Sequence, residues 1–257
     1  MLTRRWLGLT ALVLVLVPAF IGLGRWQLSR HYEKQESIAL LDRNAAAAPA
    51  DVRAVATVGE PISRDVRWRR VSATGTYDPA HELLVRNRSL DGNPGLYVIT
   101  PLVTEDGRVV VVNRGWVENP PTATTRPRVP PPPAGTVTVR GRLMPGEPAP
   151  DRDTTGLPAG QILTIDVPAI ARTAGRPAYG GYVELTEQTP APAAAPRALP
   201  APERDYGPHL AYAVQWWLFA LIAVGGWVFL LRKEYREEHA PRGQDARTQQ
   251  NTAVPGT

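Results

Sequence analysis

Cysteine is absent from the 257 residues, which excludes disulfides, thiolate nucleophiles, cysteine-ligated zinc and iron–sulfur clusters. Histidine is scarce, and its four copies nearly exclude a metal cage built from several histidines: His31, His81, His209 and His239. Lysine is almost missing as well, since 27 of the 29 basic residues are arginine. The formal net charge of +5 is too small and too dispersed to indicate nucleic-acid binding.

Common enzyme motifs are also missing, because the chain has no G-x-S-x-G, no H-E-x-x-H and no P-loop. The strand-rich part of the chain contains one histidine, His81, and a lone histidine in a turn is typical of a solvated surface residue. A catalytic triad assembled in space from distant segments stays open as an alternative. We nevertheless expect a protein that is not an enzyme.

Two long uncharged segments are present, at residues 6–24 and 210–231. A bilayer core needs ~20 apolar residues of helix, so both segments predict transmembrane helices. A cleaved twin-arginine signal peptide is the alternative for the first segment. Against it, the apolar run is longer than a typical signal core, and no clear small-x-small cleavage site follows.

Flanking charges predict the orientation of both helices. Arg4 and Arg5 precede the first span, and Arg232, Lys233 and Arg236 follow the second. The positive-inside rule then places both termini in the cytoplasm and the intervening residues outside it. The expected location is the plasma (inner) membrane, with a multi-pass chain and an extracytoplasmic central domain.

The segment between the spans has the pattern of one β domain carried on a helical stalk. Apolar and charged residues are interleaved at 25–48 without proline or glycine, and β-branched runs follow, with Asp106-Gly107 as a hairpin turn between two of them. We predict a mainly antiparallel domain, a small barrel or sandwich. The predicted order is a cytoplasmic N-terminus at 1–5, a transmembrane helix at 6–24, the stalk at 25–48, the β domain at 49–189, a Pro/Ala-rich tether at 190–208, a second transmembrane helix at 209–231 and a disordered cytoplasmic tail at 232–257.

The motif N-R-G-W at residues 113–116 follows a β-branched run. Gly115 is expected to serve a backbone need such as a bulge. Arg114 and Trp116 would either contact a ligand or form a structural cation–π pair, and the structural alternative is favoured.

His209 lies at the start of the second span, directly after Pro208, a residue suited to a first helical turn. Tyr212 and Trp216 share a helical face with it at spacings of three and seven residues. One imidazole above two flat aromatics would suit a planar, iron-bearing macrocycle. The structural alternative is that these residues belong to an aromatic belt at a membrane interface. For the polar Gln215, the structural alternative is a hydrogen bond to the first span.

Five short motifs occur in order along the chain: G-x-G-R-W-Q-L-S-R at 22–30, R-R-V-S-A-T-G-T-Y at 69–77, V-R-N-R-S-L-D-G-N-P-G-L-Y-V-I-T-P-L at 85–102, V-N-R-G-W-V at 112–117 and Y-G-P-H-L-A-Y-A-V-Q-W-W-L-F-A-L at 206–221. Together they resemble the Surfeit-locus-one (Surf-one) family of cytochrome c oxidase assembly proteins, in its bacterial members. The resemblance spans residues 6 to about 235. The Pro-rich segments and the tail are the least family-like parts.

The resemblance implies a non-enzymatic assembly factor that captures haem a transiently and aids its insertion into the large oxidase subunit. The family's proposed haem ligand maps onto His209, and the tryptophan and glutamine of its first-span motif map onto Trp26 and Gln27. The candidate cofactor-binding residues are therefore His209, Trp26, Gln27, Tyr212, Trp216 and Gln215, with His209 as the iron ligand.

The implied partners are the large subunit of cytochrome c oxidase, the lipid bilayer and, as a further candidate, haem a synthase. Nucleic acid is not expected. The alternative function is a cofactor-free, membrane-tethered scaffold that stabilises an oxidase assembly intermediate. In that case His209 is a belt residue and residues 113–117 form a docking strand.

Overall fold

The structure is a computed structural model that describes residues 4–122, 125, 127–151, 154 and 156–239. Most of the tail predicted to be disordered, from residue 240 onwards, lies outside the described residues. Contacts divide the chain into two units. Residues 36–204 form a β unit, and the described residues of 1–35 and 205–257 form a two-helix unit. The boundary at residue 35 falls inside the first helix, which therefore contributes to both.

The described residues contain three α-helices and eight strands. In chain order they are α1 (Arg4–Ala46), β1 (Ala50–Asp51), β2 (Arg70–Tyr77), β3 (Leu83–Leu90), β4 (Asn93–Thr104), β5 (Val109–Glu118), β6 (Thr136–Met144), β7 (Gln161–Ile162), α2 (Val167–Thr173), β8 (Ala178–Thr189) and α3 (His209–Glu238). Short 3-10 helices add Val52–Ala54, Arg64–Val66 and Pro79–His81.

α1 and α3 are each long and apolar enough to cross a membrane. Only 6% of the most apolar stretch of either helix is buried, whereas the core helix of a soluble protein would be mostly buried. α1 continues without interruption through the predicted stalk. α3 ends at Glu238, so its last turns lie in the segment that the sequence assigned to the tail.

The eight strands form one curled, mixed sheet in the order β1-β2-β6-β8-β5-β4-β3-β7. β2 also pairs with β4 over three residues, 75–77 against 102–104, which bends the sheet. β5 and β8 are parallel at the centre, as are the short edge pairs of β1 with β2 and of β3 with β7.

The sheet is mainly antiparallel, as predicted, but the predicted small barrel or sandwich was wrong. The order of the strands has two edges, β1 and β7, and it forms one mixed sheet rather than a barrel or two stacked sheets. The sheet is mixed because the long connection from β5 to β8, which contains β6, β7 and α2, lets β8 enter parallel to β5. Hydrophobic periodicity within a strand does not report the direction of its neighbours.

Four consecutive valines, residues 109–112, explain why β5 is central. Val110 and Val112 join one hydrophobic cluster, and Val109 and Val111 join another, which also contains Ile165 of the segment before α2. Successive side chains of a strand point to opposite faces, so an unbroken valine run suits a strand that is covered on both sides. Full burial of each such side chain contributes roughly 1.5–3 kcal/mol.

The last turns of α1 belong to the β unit. Ile38 and Leu41 are buried there. The Asn44 side-chain amide donates hydrogen bonds to the backbone oxygens of Asp65, at 2.6 Å, and Arg67, at 2.8 Å. The end of α1 is therefore held within the β unit both by apolar packing and by a buried amide.

Candidate functional site

The site predicted around His209 lies in the two-helix unit, where α1 and α3 run antiparallel. Four contacts mark their shared seam from one end to the other: Gln27 with His209, Gly24 with Trp217, Phe20 with Trp216 and Thr10 with Trp227. At ~1.5 Å of rise per residue, Thr10 and Gln27 are about 26 Å apart along α1. That length is close to the ~30 Å of a bilayer core.

Small residues bring the two helices together. A Cβ added at Gly24 would lie 2.2 Å from the Trp217 Nε1, so this indole rests directly on the α1 backbone. On α3, Ala213 and Ala220 are buried at 0% and 7% exposure. Small residues permit close helix packing in a bilayer, where the hydrophobic effect does not drive association of helices. This packing fixes the spacing of the side chains at the end of the seam.

His209 is the first residue of α3, and its imidazole contacts α1. The Nδ1 atom lies 2.9 Å from the Oε1 of Gln27. In the tautomer in which Nδ1 carries the proton, Nδ1 donates this hydrogen bond and Nε2 keeps a free lone pair. Histidines that bind metals typically donate the other ring N–H to an oxygen in this way, which fixes both tautomer and orientation. Gln27 is therefore placed to fix the orientation of the His209 imidazole.

The turn before α3 makes room for this imidazole. Gly207 has a φ of +65°, in the left-handed region, and a Cβ added there would lie 3.3 Å from both Cδ2 and Nε2 of His209. The backbone N–H of Gly207 donates to the Asp205 carboxylate at 2.8 Å, which holds the turn. The Nε2 edge of His209 therefore lies beside a residue that has no side chain.

The other predicted site residues lie in different surroundings. Trp26 is 52% exposed, with the Arg30 guanidinium 5.9 Å from its ring centroid, and Tyr212 is 47% exposed. Trp216 instead stacks on Phe20 at a centroid distance of 5.7 Å. Gln215 is exposed, and its hydrogen bond to α1 is not found among the described residues. Gln27 and His209 are thus the predicted pair that the structure brings into direct contact.

No role was assigned to His31 from the sequence. Phe20, Gly24, Gln27 and His31 follow one another on α1 at spacings of four, three and four residues, which places them on one face of the helix. The first three of these residues contact α3. The ring centroid of His31 lies 6.1 Å from that of Tyr206. Its Nδ1 is buried and has no hydrogen-bond partner within the described residues. The helical spacing from Gln27 was the signal that would have identified it.

In the β unit, the N-R-G-W motif has a structural role. Arg114 is almost fully buried and donates to the Glu82 carboxylate at 2.9 Å and to the Pro130 carbonyl at 2.8 Å. Burial lowers the pKa of the Arg114 guanidinium, and the Glu82 charge opposes that shift. The same Glu82 oxygen accepts from the Thr100 hydroxyl at 2.9 Å. The guanidinium of Arg114 therefore already has partners within the protein and is not free to bind a ligand.

Trp116 in the same motif holds the Pro/Ala-rich tether. Its backbone N–H and C=O exchange two hydrogen bonds of 2.8 Å with Arg197. Gly115 has a φ of +133°, and a Cβ there would lie 2.5 Å from the Arg197 carbonyl oxygen. The Trp116 indole N–H donates to the Arg88 carbonyl at 2.8 Å. The glycine thus permits the close approach of the tether to β5.

Comparison with known proteins identifies the family. Residues 14–221 match the SURF1 family. The chain belongs to this family. An uncharacterized SURF1-like protein of Mycobacterium bovis is 29% identical over 234 residues, 90% of this chain and 85% of that protein. A SURF1-like protein of Monosiga brevicollis is 30% identical over 240 residues, 87% of each chain, and one of Rickettsia felis is 31% identical over 109 residues, 42% of this chain and 45% of that protein.

SURF1 proteins are generally linked to the assembly of cytochrome c oxidase. The matched segment includes Gln27, His31 and His209, so the end of the seam lies within the part of the chain that the family shares. The resemblance found in the five motifs is confirmed.

Proposed function

We propose that this SURF1 protein captures haem a at the outer membrane interface and passes it to the large subunit of cytochrome c oxidase. The observation that carries the proposal is the 2.9 Å contact between His209 Nδ1 and Gln27 Oε1. It presents an oriented imidazole with one free nitrogen at the end of a pair of apolar helices. Haem is the cargo and leaves chemically unchanged, so the proposed role is not enzymatic.

The donor set fits haem better than a bare metal ion. Among the described residues, no group of three or more His, Cys, Asp or Glu side chains is placed to hold a metal. A haem iron arrives with four ring nitrogens, so one or two protein ligands complete its coordination. His209 Nε2 would hold the iron, and Gln27 would orient the ring. The half-exposed rings of Trp26 and Tyr212 would offer flat apolar surface. Arg25 and Arg30, which lie close to Gln27 in the sequence, would be candidates to pair with the propionates.

The expected topology places this site at the outer interface. Arg4 and Arg5 lie at the far end of α1 from Gln27, and Arg232 and Lys233 lie at the far end of α3 from His209. If the positive ends lie in the cytoplasm, the imidazole lies on the other side of the membrane. The β unit is then extracytoplasmic and would contact the oxidase subunit or haem a synthase.

An absorption spectrum tests the proposal. The full chain is purified in detergent from a host that synthesises haem a, beside His209→Ala and the matched control His239→Ala at the far end of α3. We expect a haem a spectrum in the parent and the control, and its loss in His209→Ala. A parent protein that shows no haem absorption but still co-purifies with oxidase subunits would refute the carrier function.

One observation favours the scaffold function as a second candidate. The β unit has an apolar groove of about 580 Å³ whose wall is rich in proline, glycine and alanine, including Pro61, Pro148, Ala149, Pro168 and Gly181. An apolar concave surface of this kind suits a segment of a partner protein. Ala149→Arg at the exposed rim should reduce co-purification of oxidase subunits without changing haem content. If haem is absent and co-purification depends on Ala149, the scaffold is the function.

A further inference from the structure

We propose that His31 is the second axial ligand of the captured haem iron, on the opposite side from His209. This inference rests on the proposed haem-carrier function. It assigns a role to His31, whose Nδ1 forms no hydrogen bond with any residue that the structure describes.

The first argument is position. Phe20, Gly24 and Gln27 each contact α3, and His31 continues the same face of α1 by one turn. Residues four apart on a helix have Cβ atoms ~5–6 Å apart. His31 is thus the next seam residue after the one that touches His209, and Tyr206, three residues before His209, packs against its ring. Both imidazoles lie at the same end of the two-helix unit.

The second argument is the unpartnered nitrogen. The Nδ1 of His31 is buried and finds no hydrogen-bond partner among the described residues, whereas buried polar atoms in folded proteins are nearly always paired. The His31 ring is only partly buried, and no hydrogen bond within the described residues holds its Nδ1, so the ring is free to turn this nitrogen toward an iron. A bond to the iron would then give Nδ1 the partner that it lacks, which a structural role for His31 does not.

The third argument is the asymmetry of the two histidines. Gln27 orients His209, and a hydrogen bond from the second ring nitrogen raises the basicity of a ligating imidazole. His31 has no such partner, so it would be the weaker ligand. A carrier must release its cargo, and a site with one firm and one weak ligand opens at the weak side. We therefore assign retention to His209 and release to His31.

Spin state and haem release test the inference. The full chain in detergent is loaded with ferric haem a, and absorption and electron paramagnetic resonance spectra are recorded for the parent, His31→Ala and His239→Ala. We expect a six-coordinate, low-spin iron in the parent and the control, and a high-spin iron in His31→Ala. Added imidazole should return that variant to low spin, which a misfolded protein would not show. Haem release to apomyoglobin should be about tenfold faster in His31→Ala.

The outcomes separate this inference from the proposed function. A low-spin spectrum in His31→Ala, or a five-coordinate parent, would refute the role of His31 while the carrier function stands. A parent that binds no haem a would overturn both. If His239→Ala also loses the low-spin spectrum, the loss in His31→Ala reflects a general loss of structure, and this outcome counts against the role of His31. The exception is a result in which added imidazole restores the low-spin spectrum of His31→Ala alone.

Discussion

Replacing Gln27 by leucine tests how far the orientation of His209 depends on one oxygen atom. The substitution keeps an apolar side chain of similar size but removes Oε1, so the His209 Nδ1–H loses its partner at 2.9 Å. Loss of such an outer hydrogen bond typically costs 10–100-fold in metal affinity. His209 is only partly buried, so water is able to solvate the released N–H, which places the effect near the lower end. We expect haem a to bind about tenfold more weakly, or about 1.4 kcal/mol.

The assay is a titration of the full chain in detergent with ferric haem a, followed by absorption. Gln35→Leu is the matched control, because Gln35 is an exposed residue of the same helix. Gln27→Glu is the matched variant expected to bind haem a more tightly, since a carboxylate oxygen would accept the same hydrogen bond more strongly. Equal affinities in the parent, Gln27→Leu and Gln27→Glu would refute the reasoning, provided that circular dichroism shows unchanged helix content.

Three further predictions concern the turn before α3 and the β unit. Gly207→Ala forces an L side chain into φ +65°, at roughly 1–2 kcal/mol, against the His209 ring, so haem titration should show weaker binding, and unchanged affinity would contradict the role of the turn. Glu82→Leu leaves the buried Arg114 charge without its carboxylate, so denaturant unfolding followed by tryptophan fluorescence should show a free energy of unfolding lower by about 3 kcal/mol. The double variant Glu82→Leu with Arg114→Met should lose less stability than that. A double variant as unstable as the sum of the single ones would exclude coupling between the two side chains. Hydrogen bonds from Thr104 and Tyr179 lower the pKa of Asp106 to about 2 from 3.8, so its ionised form stabilises the fold above about pH 4, and that contribution is lost as the pH falls toward 2. In Asp106→Asn the acid-induced loss of stability over this interval should therefore be smaller. An unchanged dependence of stability on pH would count against this role of Asp106.

The sheet shows which part of the fold the sequence was able to predict. The valine run at 109–112 and the Asp106-Gly107 turn identify β5 and its hairpin with β4, because both signals are local. The parallel pairing of β5 with β8 depends on a connection that spans two other strands and a helix. No short pattern encodes that choice, so the mainly antiparallel pairing was predicted correctly but its parallel centre was not.

The candidate site divides in a similar way. Position at the start of α3 was enough to select His209, and the resemblance to the family selected Gln27, but their contact depends on how closely Gly24 lets Trp217 approach α1. Trp216 shares a helical face with His209, yet it stacks on Phe20, which helical spacing on α3 alone does not report.

His31 makes the general point about this site. Its signal was present in the sequence, since Phe20, Gly24, Gln27 and His31 follow each other at helical spacings on α1. The spacing acquires meaning only once three of the four residues are seen to contact α3, because a stripe on a lone helix does not identify the face that is covered. The burial of Nδ1, which has no partner in the part of the chain that the structure describes, then distinguishes His31 from a belt residue, whose polar atoms would remain in contact with water. In the proposed carrier, two histidines at one end of a helical seam, one oriented by Gln27 and one without such a partner among the described residues, would take the place of a metal cage.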